Sequence, residues 1–513
     1  MRFVLYFILC IFVIGCKPEK DYTLTIMHTN DLHSHLLPFN NYEDCRVDDD
    51  KCLGGFARII SLMEKEKKQN PDALFLDAGD RFTGTAFYSL TKSRFLLPLF
   101  QMMPYDAATL GNHEFDDNLE ETISFIRQWK TPIIAANIKS SPAEKLHAYV
   151  RPSIVVEKNN RKIGIIGVTT PEINILGGAR ILIEPIQKSV SREVRKLKKQ
   201  GVNIIVVLSH IGLSADKKLA RAVPDIDIIV GGHSHSLFIN DPINPLRRAG
   251  YPLALNNGRT LIVSCGMGGQ YVGKLTAIFN EDGEIISYDG DALAVSSDIP
   301  LHAQALQIIR QASENLQRVL NEKIADLPQA YGYTKNTNYC SEECLVGEYL
   351  TYLIAKEFPD IDGVAINAGA IRSALPEGAL RYSNLLDFYP YDSPAVLITM
   401  SGKALKQYLR HGIMHYHKHG KTNELLQTFG IRYAFTTDDK QIFEVSVKGE
   451  ALDLEKQYTI LVPLFLANGG DRYPIKAYTD TGLTVREILL NQLRNSDDLS
   501  YTMQSNVRIF KKS

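Results

Sequence analysis

Several short segments of this chain close an apolar run with Asp, His or Asn. "HTNDLHSHL" supplies Asp31 and His33, "LDAGDRFTGT" supplies Asp80, and "LGNHEFDD" supplies Asn112 and His113. "LSHIG" and "GGHSHS" add His210, His233 and His235. Neutral imidazoles, carboxylates and an uncharged oxygen are the donors that a two-metal centre needs. Two divalent ions roughly 3.5–4 Å apart clamp a phosphate and generate hydroxide at neutral pH. An all-carboxylate set would over-neutralise the ions and blunt their Lewis acidity. Mixed N and O donors suit Zn, Mn, Fe or Co and do not choose among them. One such histidine at a strand end is usually structural; recurrence at successive strand ends points to a shared centre.

Those donors need a scaffold that brings strand ends together. Strands are expected near 24–29, 73–78, 107–111, 132–138, 162–170, 203–210, 226–235 and 261–266. Amphipathic stretches such as "FARIISLMEKEKKQ" and "SREVRKLKKQ" lie between them. Buried strands alternating with helices predict an α/β layered domain. Open α/β sheets place their sites at the C-terminal strand ends, where the donors fall. Residues 301–324 then carry Leu306, Ile309, Leu316 and Leu320 at helical spacing without Gly or Pro, which predicts a helix linking two domains. A second domain follows from about Tyr331, with "GVAINAGAIR", "AVLITMSG" and "YTILVPLFLANGG".

The 513 residues are enough for two to four domains, and 57 Lys plus Arg balance 58 Asp plus Glu. A general attraction to nucleic acid or to anionic membrane is therefore not indicated. "MRFVLYFILCIFVIGC" holds an apolar run from Phe3 to Ile14. That run is shorter than the roughly 20 residues of a spanning helix but fits a secretory signal. The alternative is a buried N-terminal helix. "VIGC" also resembles a bacterial lipobox, so residues 1–16 are expected to be a lipoprotein signal with Cys16 as the lipid carrier. Export to the periplasm or cell surface would oxidise the remaining cysteines. Cys45 with Cys52 and Cys340 with Cys344 are candidate disulfides, leaving Cys265 a buried thiol. The pairs could instead be reduced or bind metal, although neither has CxxC spacing.

In order and spacing, "NDLHSH", "DAGDRFTG", "GNHEFD", "SHIG" and "GGHSH" resemble the calcineurin-type metallophosphoesterases. With its C-terminal motifs, the chain resembles the exported 5′-nucleotidases, which include bacterial UDP-sugar hydrolases, over about residues 22–510. The resemblance implies a four-layer α/β/β/α domain over 22–297, a linker helix over 298–330 and a smaller α+β nucleotide-binding domain over 331–513. It implies that Asp31, His33 and His235 hold one ion, that Asn112, His210 and His233 hold the other, and that Asp80 bridges them. His33 could instead stand behind the ligands, and His28 and His35 are not expected to bind. His113, oriented by Asp116, would stabilise the transition state or protonate the leaving group; Asp116 could otherwise cap a helix starting near Asn118.

On the substrate side the resemblance implies that Tyr391 and Phe465 sandwich the base, where relatives usually have two Phe. Asn367 and Arg372 would bind phosphate or ribose, Asn468 would line the pocket, and Asp471 would contact ribose hydroxyls. Three departures stand out. Acids follow Ser341 where many relatives carry a gripping Arg, Arg472 replaces a small residue, and, as a minor change, Asp117 stands where Asn is usual. Arg472 either restores the missing charge or lies in solvent. The implied activity is hydrolysis of nucleoside 5′-monophosphates by a lipid-anchored monomer. UDP-sugar or 2′,3′-cyclic nucleotide hydrolysis is the alternative, and a binding protein on a retired scaffold would be expected to have lost ligands.

Overall fold

The computed structural model describes residues 21–510 apart from 41–42, 118, 140–145, 172, 174–180, 333–342, 392 and 415–423. Cys16, Cys340 and Ser341 therefore lie outside the described residues. In the first domain the strand Tyr22–Thr29 runs antiparallel to Tyr271–Phe279 and parallel to Leu74–Asp77 within a seven-stranded sheet. Ala107–Ala108, Ile133–Ile134 and Val150–Arg151 continue that sheet. A six-stranded sheet is built around parallel strands Arg161–Thr169, Ile204–His210, Ile228–Gly231 and Thr260–Val263. Parallel strands covered on both faces read as unbroken apolar runs, and Ile204–His210 is buried at every position.

One core lies between the sheets, joining Leu24, Ile26 and Leu76 to Ile165, Val207 and Val230. Helices Ile186–Lys199 and Leu213–Ala222 add Val190, Val194 and Leu219 to it from the far face of the second sheet. A separate core joins Phe56, Ile59 and Met63 of helix Phe56–Gln69 to Phe75 of the first sheet. The layers are thus α/β/β/α, as the motifs implied.

The helix expected over 301–324 is shorter, running Ala303–Leu320. Its Ala305, Ile309, Ala312 and Leu316 are buried in the outer core of the first domain, so it forms part of that helical layer. Lys323–Leu327 is a strand paired antiparallel with Gly378–Arg381. Ile324 happens to continue the helical spacing, while the strand's partner lies far along the chain, so local periodicity misreads this segment.

The second domain is α+β. A five-stranded sheet orders Leu426–Phe429, Gly363–Asn367, Gln457–Pro463, Pro394–Ser401 and Tyr478–Thr484. A four-stranded sheet ends in Val507–Phe510, parallel to Ile431–Thr436. The acids of "CSEECLVGE" hold that last strand. Glu343 accepts the Val507 N–H at 2.6 Å, while Glu348 accepts those of Asn506 at 2.9 Å and Gln504 at 2.7 Å. Burial, then the hydrogen bond and charge of Glu348, push the Glu343 carboxyl up to about 9.

A carboxyl raised on folding contributes stability that is complete below its unfolded value and is lost as pH climbs to the folded one. Melting temperature of the wild type should therefore fall relative to Glu343→Gln between about pH 5 and about pH 9. Parallel melting curves for the two proteins across that range would remove the proton from the clasp.

Cys45 and Cys52 form a disulfide, which takes their thiols out of any metal site. Cys344 is also disulfide-bonded, and Cys265 is a buried free thiol. Among the described residues no helix is long and apolar enough to cross a membrane.

Candidate metal centre and substrate cleft

The expected ligands converge at the C-terminal strand ends of both sheets. Asp31 and His33 follow Tyr22–Thr29, Asp80 follows Leu74–Asp77, His210 ends Ile204–His210, and His233 and His235 follow Ile228–Gly231. Five of them hold left-handed backbone: Asp31 at φ 50°, His33 at 45°, Asp80 at 56°, His233 at 73° and His235 at 50°. Non-glycine residues rarely adopt this region, and such strain collects at functional sites. Gly111 leaves room for one ligand, because a Cβ there would stand 2.1 Å from Asp80 Oδ1.

Two donor groups form. Nε2 of His33 and Nε2 of His235 face each other at 3.0 Å, with Asp31 Oδ1 3.8 Å from the latter. In the other group His210 Nε2 lies 3.0 Å from Asp80 Oδ2, and His233 Nδ1 lies 2.9 Å from Asn112 Oδ1. One oxygen serves both groups, since Asp80 Oδ2 is also 3.9 Å from His33 Nε2. The partner oxygen Oδ1 accepts the His113 N–H at 2.9 Å. Asp80 is therefore oriented to be shared.

These donors fit divalent cations on their own chemistry. Nδ1 of His210 lies 2.7 Å from the Ala78 carbonyl, which fixes Nδ1–H as donor. Nε2 is thereby aimed at Asp80 Oδ2; burial opposes protonation, but the Asp80 and Asp31 carboxylates lift this imidazole to about 9, and a cation among them would take the place of that proton. Burial holds the His33 imidazole down to about 3 and also lowers His235, which favours the neutral, metal-binding form. Opposed imidazole nitrogens and convergent carboxylates crowd lone pairs together, an arrangement that a cation relieves. His28 and His35 do not join the groups: His28 Nε2 bonds Tyr251 Oη at 2.9 Å, and His35 stacks on Phe39.

His113 follows Asn112 in a short 3₁₀ turn, His113–Phe115. Its Nδ1 lies 2.6 Å from Asp116 Oδ2, which also accepts from Thr83 Oγ1 at 2.8 Å. Asp116 thus orients the imidazole. Burial opposes protonation of His113, but the Asp116 and Asp80 charges and the Asp116 hydrogen bond outweigh it, lifting the imidazole to about 10. Cations bound nearby would push the other way. Glu114, which sequence reasoning passes over, braces the loops: its carboxylate accepts the N–H groups of Asp80 at 3.1 Å, Arg81 at 2.6 Å and Gly111 at 2.5 Å.

A cavity of about 380 Å³ joins His113 and Asp116 to the second domain. Asn367, Arg372, Tyr391, Phe465 and Asp471 all line it, as the motifs implied. Asn367 Nδ2 donates to Asp471 Oδ2 at 2.9 Å, and Arg372 Nη2 donates to Tyr391 Oη at 2.6 Å. Gly470 seats the Phe465 ring, since a Cβ there would stand 2.5 Å from ring carbons.

One expectation does not hold for the cavity. Asn468 is not in its lining and instead ends the short helix Leu464–Ala467. Arg472 is exposed and is also absent from the lining. The lining adds residues that the sequence does not reveal, among them Thr83, Tyr88, Lys92, Asp117 and Tyr389. Tyr88 and Lys92 sit on a helical segment whose facing only the packed domains define. Asp117, adjoining Asp116, is a departure in the sequence whose place in the cleft only the structure reveals.

Comparison with known proteins agrees with this anatomy. Residues 24–237 match the calcineurin-like phosphoesterase family, and residues 323–478 match the 5′-nucleotidase C-terminal domain. The chain is 30% identical to an apyrase of Tabanus yao, over 96% of this chain and 94% of the relative. It is 30% identical to the 5′-nucleotidase of Mus musculus, over 88% and 83%. A 5′-nucleotidase precursor from Thermus thermophilus superposes with a TM-score of 0.68 at 28% identity, over 96% of this chain and all of that one. The matches to these relatives span both domains of the chain. The chain belongs to the 5′-nucleotidase family and is a metal-dependent phosphoric ester hydrolase.

Proposed function

We propose that the protein hydrolyses nucleoside 5′-monophosphates to nucleoside and phosphate, with two divalent ions held at the strand ends. The observation carrying this reading is the cavity that places His113 and Asp116 beside Tyr391, Phe465 and Asp471. Asp31, His33 and His235 would hold one ion, Asn112, His210 and His233 the other, and Asp80 would lie between. When bound, the ions supply Lewis acidity toward the phosphoryl oxygens and make water nucleophilic at neutral pH.

The chain's own residues then act on the ester. Water attacks phosphorus in line and the P–O5′ bond breaks. His113, held by Asp116, offsets charge on the phosphoryl oxygens and gives its proton to the departing O5′. Tyr391 and Phe465 offer aromatic faces to a base, while Arg372 and Asp471 meet phosphate and ribose. The reading extends to the N-terminus, where residues 1–16 act as an export signal and Cys16 carries lipid, placing a monomeric enzyme on the outer side of a bacterial membrane.

The test is phosphate release by the metal-reconstituted protein lacking residues 1–16, with a nucleotidase-free phosphatase added for UDP-glucose and the cyclic ester, whose first hydrolysis frees no phosphate. AMP, GMP, UMP, UDP-glucose, 2′,3′-cyclic AMP and p-nitrophenyl phosphate form the panel. Turnover of the monophosphates in preference to the others is the expected result. Activity confined to UDP-glucose or the cyclic ester would reassign the substrate, and inactivity on all six with both ions bound would refute hydrolysis.

A further inference from the structure

In the lining of the cavity the first domain presents a short charged stretch. Helix Ala86–Thr91 breaks at Lys92, which adopts φ 51° before the 3₁₀ turn Lys92–Arg94. Lys92 Nζ donates to Asp117 Oδ1 at 2.7 Å, and Tyr88 Oη donates to Asp117 Oδ2 at 2.7 Å. Burial, then the Asp117 charge, raise the Tyr88 phenol far above its ordinary value, so it remains a donor. All three residues line the cavity together with His113, Asp116, Phe465 and Asp471.

Besides His113 and Asp116, the charged side chains of that lining are Lys92, Arg372, Asp117 and Asp471. His113 and Asp116 are paired with each other, and Arg372 already bonds the Tyr391 hydroxyl. A longer phosphate chain held in this cavity shares it with the Lys92–Asp117 pair. For a second phosphate, Lys92 would be the cation of that pair, yet its ammonium is engaged by a carboxylate that two donors hold in place. The second phosphate would meet the Asp117 charge and would have to break the ion pair to gain Lys92.

We propose that the Lys92–Asp117 ion pair sets phosphate-chain length, admitting nucleoside monophosphates and discriminating against diphosphates. The inference rests on the proposed monophosphatase reading and names the residues that select among nucleotides at the same site. Diphosphate turnover would require water to attack the terminal phosphorus and the bond to the bridging oxygen to break. The bridging oxygen would take a proton, leaving AMP and phosphate.

The experiment compares kcat/KM for ADP loss with kcat/KM for AMP loss in metal-loaded wild type, Asp117→Asn and Lys92→Met. An amide keeps a bond to Tyr88 while releasing Lys92, so the ADP:AMP ratio should rise about tenfold in Asp117→Asn. Lys92→Met leaves the carboxylate uncompensated and should lower the ratio by about the same factor. The double variant should lie near wild type. Ratios within about threefold of wild type in both single variants would overturn the inference, as would a shift in the same direction for both. If Asp117→Asn fails to fold, the fall in Lys92→Met decides alone. Wild type inert toward AMP would instead overturn the monophosphatase reading, and this inference would fall with it.

Discussion

Replacing His113 with alanine should lower kcat for AMP by about 10²- to 10⁴-fold while leaving two equivalents of metal bound. The side chain enters the cavity from the turn that follows Asn112; its Nδ1 is committed to Asp116, and the ring stands near His33 and Asp80 without being one of the expected ligands. Removing it should not empty either group. Two roles can be separated by the leaving group. A nucleoside alkoxide needs a proton, whereas p-nitrophenolate leaves without one. If His113 mainly protonates O5′, the alanine variant should lose far less activity on p-nitrophenyl phosphate than on AMP. Equal losses on both esters would assign it to the phosphoryl oxygens instead. Turnover within about threefold of wild type on AMP would remove it from the chemistry altogether.

Replacing Asp80 with asparagine should be at least as damaging, and by a different route. Its Oδ2 faces His33 in one donor group and His210 in the other, while Oδ1 is committed to the His113 N–H. An amide at this position keeps the size but loses the negative charge that two cations would share. Lewis-acid stabilisation is worth several kcal/mol, so activity should fall by roughly three decades. Metal content, measured by mass spectrometry of the desalted protein, should fall below two equivalents. An Asp80→Asn enzyme that retained both ions and most of its activity would refute the shared-ligand assignment. Because His113→Ala should keep its metal and Asp80→Asn should not, the two variants separate proton chemistry from metal binding.

Much of this centre is legible in the sequence because each donor sits where an unbroken apolar strand stops. Ile204–His210 and Ile228–Gly231 announce themselves by burial on both faces, and the polar residues after them have no structural reason to recur. The strand expected over 107–111 shrinks to Ala107–Ala108, since Leu110 is apolar and buried without being part of the strand. The aromatic pair and Asp471 come from motif likeness, and the cavity brings them together. Asn468 shares a motif with Asp471 but serves a helix end, which spacing alone does not show. Strand Lys323–Leu327 is hidden because pairing with Gly378–Arg381 is non-local. Tyr88, Lys92 and Asp117 are illegible for a related reason. Their place in the cleft exists only once the second domain packs against the first.

The left-handed backbone at Asp31, His33, Asp80, His233 and His235 has a consequence for how such a sequence drifts. Each of these conformations costs on the order of 1 kcal/mol that glycine would largely avoid. For a chain under no demand but folding, glycine would thus be the easier residue at all five positions, and random replacement would tend to be kept. Here every one of the five carries an imidazole or a carboxylate. The fold is therefore less stable than its own topology permits, and that deficit is the signature of a scaffold still in use.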